Sequence, residues 1–146
     1  MVCAGLLPLA WYRAGWADHG LALPASAGAR LAEALAHTGR PAFVDPRLTG
    51  VAAAVPGYPF GVLRRLLPPT AAPPPASEIA AQNRELYRAF DLDYPRPGPD
   101  DGYPTAVHHR YADAWVAIAG LLAAAGDRDA ARDALAVARS LLPTPD

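Results

Sequence analysis

The most regular hydrophobic pattern in the chain lies at residues 103–143, and it predicts two helices joined at Gly126-Asp127. Large residues and alanines recur there at steps of three and four, the spacing of positions on one face of a helix. Counted from Trp115, these positions are Ile118, Ala119, Leu122, Ala131, Leu135, Ala138 and a closing Pro143. The alanines allow the two helices to approach closely. Gly126 is suited to end the first helix, and Asp127 to cap the second.

The order of these positions resembles one tetratricopeptide repeat: a bulky residue, a large–small pair, a second large residue, then Ala-x3-large and a final Pro. The resemblance covers residues 112–145, and the helical hairpin is predicted at residues 104–143. A single repeat cannot bury its own hydrophobic face, so we expect a neighbouring helix to cover it. The predicted helix at residues 78–90 is the available partner, through Tyr87 and Phe90.

The first part of the chain combines short apolar runs with one clear helical pattern. Residues 2–9, 42–44 and 60–67 are predicted as strands, and residues 25–37 as a helix between the first two strands. Strand, helix and strand at this spacing are typical of a βαβ unit, so we expect a small, mostly parallel sheet. Phe43 and Val44 should lie in a strand beside the strand that contains residues 3–7.

A proline-rich stretch separates this α/β unit from the helical tail. Five of the eight residues 68–75 are Pro, so the stretch should be extended and stiff. The sequence therefore predicts an α/β unit at residues 1–67, a connector at 68–76 and an all-α, tetratricopeptide-like tail at 77–146. Ser77 is predicted to cap the first helix of the tail, and residues 91–102 to form a turn-rich loop.

The composition excludes several classes of protein. The net charge is −1, so no global field would attract nucleic acid or an anionic membrane. Cys3 is the single cysteine and cannot form an internal disulfide. The uncharged helical run at residues 114–126 is shorter than the ~20 residues of a membrane span. Residues 1–12 lack the basic leader and the cleavage site of a signal peptide.

Candidate sites in the helical tail each have a structural alternative that the spacing favours. His108 and His109 point ~100° apart on a helix and have no further ligand nearby, so we expect one in the helix interface and one in solvent. The acidic residues of the predicted loop lack the spacing of a calcium loop, and a solvated loop is the favoured interpretation. They are Asp91, Asp93, Asp100 and Asp101.

The remaining candidates are favoured as packing or surface residues. Trp11, Tyr12 and Trp16 could stack on a sugar ring but are expected to pack. Arg64 and Arg65 should point to opposite faces of a strand, without the Gly-rich loop of a phosphate site. Cys3 is expected to be inert. The serines considered as nucleophiles lack a nucleophile-elbow context, namely Ser26, Ser77 and Ser140.

Three short motifs of the first half resemble the soluble C-terminal part of bacterial membrane proteins related to protein O-mannosyltransferases. They are LLPLAWY at residues 6–12, RPAFV at residues 40–44 and YPFGVL at residues 58–63, and a helical tail follows. The resemblance covers residues 2–67 and implies an accessory domain on the extracytoplasmic side of the cell envelope. The chain departs from that family because no membrane helix and no acidic catalytic loop are present. Any transferase activity would then reside in a membrane part outside this sequence.

Two functions of different classes therefore stay open. The first is a non-catalytic accessory or interaction domain of a membrane glycosyltransferase-like protein. The second is a stand-alone tetratricopeptide-like interaction module, which would be cytoplasmic. Both predict a protein or peptide partner and no nucleic acid, and no catalytic, cofactor-binding or metal-binding residue is assigned. An independent enzyme is disfavoured because no acid–base or nucleophile constellation can be assembled.

Overall fold

The computed structural model describes residues 41–47 and 55–144. These residues form a small sheet followed by helices, as the sequence predicts. The elements are β1 (Ala42–Val44), β2 (Gly57–Phe60), β3 (Leu63–Leu66), α1 (Ala76–Arg88), α2 (Tyr103–Ala124) and α3 (Arg128–Leu141). The chain divides into two compact units, one of Met1–Tyr58 with Leu63–Pro73 and one of Pro59–Val62 with Pro74–Asp146.

The described sheet is antiparallel, so the prediction of a mostly parallel sheet was wrong. Its strand order is β1-β3-β2, and β1 pairs with β3 in the register Ala42↔Leu66 and Val44↔Arg64. The segment predicted as one strand at residues 60–67 is instead the end of β2, a turn and β3. Gly61, at φ 60°, takes the left-handed conformation in this turn. A two-residue turn reverses the chain and makes the paired strands antiparallel.

The strand predicted at residues 42–44 is confirmed as β1. Its expected neighbour at residues 2–9 and the helix expected at residues 25–37 lie outside the described residues. Among the described residues of the first unit, the buried apolar side chains are Val44, Val55, Tyr58 and Leu66.

Helix α1 begins earlier than the pattern predicted, and Ser77 is not its cap. Pro75 occupies the N-cap position with φ −52° and ψ 146°, and no side chain caps this end of the helix. Its carbonyl accepts hydrogen bonds from the amides of Glu78 and Ile79, each at 3.0 Å. Proline suits this position because its ring holds φ near the required value. Ser77 therefore lies inside the first turn and is exposed.

The turn between α2 and α3 is built as predicted. Gly126 has φ 86°, the left-handed conformation that commonly follows a helix end. The Asp127 carboxylate accepts a hydrogen bond from the Ala130 amide at 3.0 Å and caps α3.

The core of the helical unit lies between α1 and the α2–α3 hairpin. Trp115 is 1% exposed and packs edge-on against Tyr87 of α1, with 5.5 Å between the ring centroids. Phe90, just after α1, packs against Tyr111 at 5.6 Å. The other fully buried residues of the hairpin include Ile118, Leu122 and Ala134. Tyr87 and Phe90 therefore cover the hairpin, as expected.

A buried asparagine holds residues 59–62 against α1 within the same unit. Asn83 is 0% exposed. Its Oδ1 accepts from the Gly61 amide at 2.7 Å, and its Nδ2 donates to the carbonyls of Pro59 at 3.0 Å and Ile79 at 2.8 Å. These bonds satisfy the buried amide, which is the condition for burying a polar side chain without a large cost.

Candidate functional site

One side of α2 exposes apolar residues to solvent. Residues 115–125 contain no charged or polar side chain, yet burial is confined to one stripe, formed by Trp115, Ile118, Ala119 and Leu122. At 100° per residue, five of the seven remaining positions fall on the opposite arc of the helix. We call this arc the outer face of α2; it consists of Val116, Ala117, Gly120, Leu121 and Ala124. Val116 is 51% exposed and Leu121 is 38% exposed.

The exposed faces of the other two helices differ sharply from the outer face of α2. α1 exposes Glu78, Arg84, Glu85 and Arg88, and α3 exposes Arg128, Asp129, Arg132, Asp133 and Arg139. These charges form local ion pairs such as Arg132–Asp129 at 2.9 Å. α1 and α3 are therefore ordinary amphipathic helices. Residues 115–124 of α2 have the composition of a helix that is buried all round, although one of their faces is open; charged residues of α2, Arg110 and Asp113, lie before this run.

Gly120 lies in the middle of the outer face. A Cβ built on this residue would meet no heavy atom within 4 Å. Glycine inside a helix costs about 1 kcal/mol relative to alanine. Among the described residues, packing therefore gives no reason for glycine rather than alanine at this position.

The two histidines lie in different environments, as the helical spacing predicted. His108 is 3% exposed, and its Nδ1 lies 2.8 Å from the Leu141 carbonyl oxygen. Because a carbonyl only accepts, Nδ1 carries the hydrogen. Nε2 lies 2.9 Å from the Tyr94 hydroxyl. His109 is exposed. Within residues 41–47 and 55–144, no group of three or more His, Cys, Asp or Glu side chains is arranged to hold a metal ion.

Two acidic residues of the loop at 91–102 accept hydrogen bonds from backbone amides of the same loop. The carboxylate of Asp91 accepts from the Asp93 amide at 3.3 Å, and that of Asp101 accepts from the Gly98 amide at 2.5 Å. Asp100 is exposed. The loop is joined to the segment that follows α3 by a hydrogen bond from the Thr144 amide to the Pro97 carbonyl, 3.0 Å long. This is a solvated, internally bonded loop, as predicted.

The two adjacent arginines of β3 have different surroundings. The guanidinium of Arg65 lies over the Tyr58 ring, 5.9 Å from its centroid, a weak cation–π contact. Arg64 is half-buried, and its Nε has no hydrogen-bond partner in the part of the chain that the structure describes. Desolvation lowers the pKa of Arg64 below its usual value. The pair does not form a joint cationic site.

The other candidates contribute nothing further to a site. The Ser140 hydroxyl donates to the Val137 carbonyl at 2.8 Å, and Ser77 is exposed at the start of α1. Five candidates lie outside the described residues: Cys3, Trp11, Tyr12, Trp16 and Ser26.

No protein-family model, curated protein or solved structure matches this chain. None of the described helices has the length and apolarity needed to span a membrane.

Sequence reasoning missed both Asn83 and the outer face of α2. The burial of Asn83 could have been predicted, since this residue lies on the apolar stripe of α1, four residues from both Ile79 and Tyr87. The outer face had only a partial signal, namely the uncharged run at residues 115–125.

Proposed function

We propose that this chain is a non-catalytic interaction domain that binds a protein or peptide partner on the outer face of α2. The observation that carries the proposal is the apolar composition of residues 115–124 of α2, combined with their burial on one side only. Exposed apolar patches on a protein surface commonly mark interaction sites. The centre of a protein–protein interface is typically depleted of charged residues, as this face is.

The helical unit fits the proposal of a single tetratricopeptide-like repeat. Most positions of the pattern are buried: Trp115, Ile118, Ala119, Leu122, Ala131 and Ala138. Leu135 and Pro143 are half-buried. α1 takes the place of a neighbouring repeat, and the charged outer surface of α3 is what a terminal repeat requires. These features support a capped repeat unit whose open surface is on α2.

The cellular setting that we propose is a membrane glycosyltransferase-like protein of the bacterial cell envelope. The support is the motif resemblance at residues 2–67, together with the short strands β1 and β2 at two of those motifs. In this setting the chain is an accessory domain on the extracytoplasmic side, and transfer chemistry belongs to a membrane part. A stand-alone cytoplasmic interaction module is the alternative.

Position-specific crosslinking tests the binding surface. A photo-reactive amino acid would replace Ala117 on the outer face of α2 or, as the matched control, Ala136, which is exposed on α3. We expect a discrete crosslinked partner from position 117 and none from position 136. Adding Leu121→Lys should abolish the product from position 117, whereas adding Arg132→Lys should not. Equal products from the two positions, or insensitivity to Leu121→Lys, would overturn the proposal.

Fold integrity must be monitored in the same variants. Leu121 is partly exposed, so Leu121→Lys should change the free energy of unfolding by no more than about 0.5 kcal/mol, the usual range for surface substitutions. Urea unfolding of this variant and the unchanged chain separates lost binding from lost structure.

Cell fractionation distinguishes the two settings. An antibody raised against this chain should detect, in native cells, a protein larger than 146 residues in the membrane fraction. A free 146-residue protein in the cytoplasmic fraction would instead support the stand-alone module.

An activity assay tests the non-catalytic assignment. The isolated chain should not transfer sugar from a lipid-linked or nucleotide donor. Turnover above the blank that disappears on replacement of a single acidic residue would contradict this assignment.

A further inference from the structure

We draw no further inference here: the strongest candidate, the outer face of α2 around Gly120, belongs to the site already described, and nothing in the described part of the chain shows what covers it.

Discussion

Replacing Trp115 by alanine should remove the largest buried side chain of the helical unit. Trp115 is 1% exposed and packs against Tyr87 across the contact between α1 and α2. It stands at the bulky position of the repeat pattern. The change therefore tests whether this tryptophan is structural or contributes to a ligand surface.

The expected cost follows from the size of the cavity. Truncation of a buried Trp or Phe to Ala typically costs about 3–5 kcal/mol. The edge-on contact with the Tyr87 ring adds about 0.5–1.5 kcal/mol beyond the buried area. One effect acts in the opposite direction, because Trp115 Nε1 is buried without a hydrogen-bond partner among the described residues. Such an unsatisfied group costs about 1–3 kcal/mol, and its removal recovers part of the loss. We therefore keep about 3–5 kcal/mol as the net destabilisation.

Trp115→Phe is the matched variant. It keeps an aromatic ring beside Tyr87 and removes the unpartnered N–H, so it should cost clearly less than Trp115→Ala. Urea unfolding followed by circular dichroism at 222 nm is the suitable assay, since the signal includes α1–α3 and does not depend on tryptophan fluorescence. With a slope of about 1–3 kcal/mol per molar urea, the alanine variant should lose at least 1 M in its midpoint. An unchanged midpoint for Trp115→Ala would refute the structural role.

Three further results test other parts of the helical unit. Gly61→Ala should cost more than Gly102→Ala in urea unfolding: both residues have positive φ, but only at position 61 would the new Cβ meet a side chain, at 2.8 Å from Leu86 Cδ2. The left-handed backbone alone costs a non-glycine residue about 1–2 kcal/mol. If both variants lost only this amount of unfolding free energy, the steric argument would be contradicted. Asn83→Ala should cost about 2–4 kcal/mol, because unpaired buried groups cost about 1–3 kcal/mol each, and a loss below about 1 kcal/mol would show that water replaces the amide. Burial raises the pKa of the Tyr87 phenol above its usual value, so the folded state holds the phenolic proton more tightly than the unfolded state does. The free energy of unfolding should therefore be constant below about pH 9 and fall above about pH 10. An unfolding midpoint that does not change up to pH 11 would contradict this.

The helical tail could be predicted from sequence because its signals are local. Gly126 and Asp127 mark the turn, and the periodic alanines mark the packed face, so both helices were placed correctly. The start of α1 was misplaced because Ser77 is a better capping residue by type than Pro75. Proline at that position forms no side-chain cap, but its fixed φ and its carbonyl are sufficient to begin the helix.

The strand direction could not be predicted because the turn signal is weak. Residues 58–67 are almost continuously apolar up to Arg64-Arg65, so no polar break separates β2 from β3. The turn uses Gly61-Val62 rather than an Asn-Gly or Asp-Gly pair, the strongest short-range signals for a hairpin. The spacing of short apolar runs then suggested a βαβ unit where the chain forms a hairpin.

The candidate site was hidden by an ambiguity in the hydrophobic pattern. A helix that is apolar on all sides is usually buried on all sides, so Val116 and Leu121 carry no sign of exposure in the sequence. Likewise, adjacent histidines imply that one is inside and one outside, but the burial of His108 depends on its bonds to Leu141 and Tyr94. These contacts are distant in sequence and follow only from the packed structure.

The polar groups in the core of the helical unit, and the carboxylate at its α2–α3 turn, stabilise the fold. His108 engages both ring nitrogens, Asn83 makes three hydrogen bonds, and Asp127 caps α3. Each would have to break a stabilising bond before it could contact a substrate. The apolar side chains on the outer face of α2 form no hydrogen bonds that a ligand would have to break. The binding free energy of a ligand there comes mainly from burial of apolar surface, about 25 cal/mol per Å². Binding through this face should therefore show a negative heat-capacity change and little dependence on salt, since exposed charge pairs are what salt screens. Affinity that fell steeply with salt would place the contact on the charged faces of α1 or α3 instead.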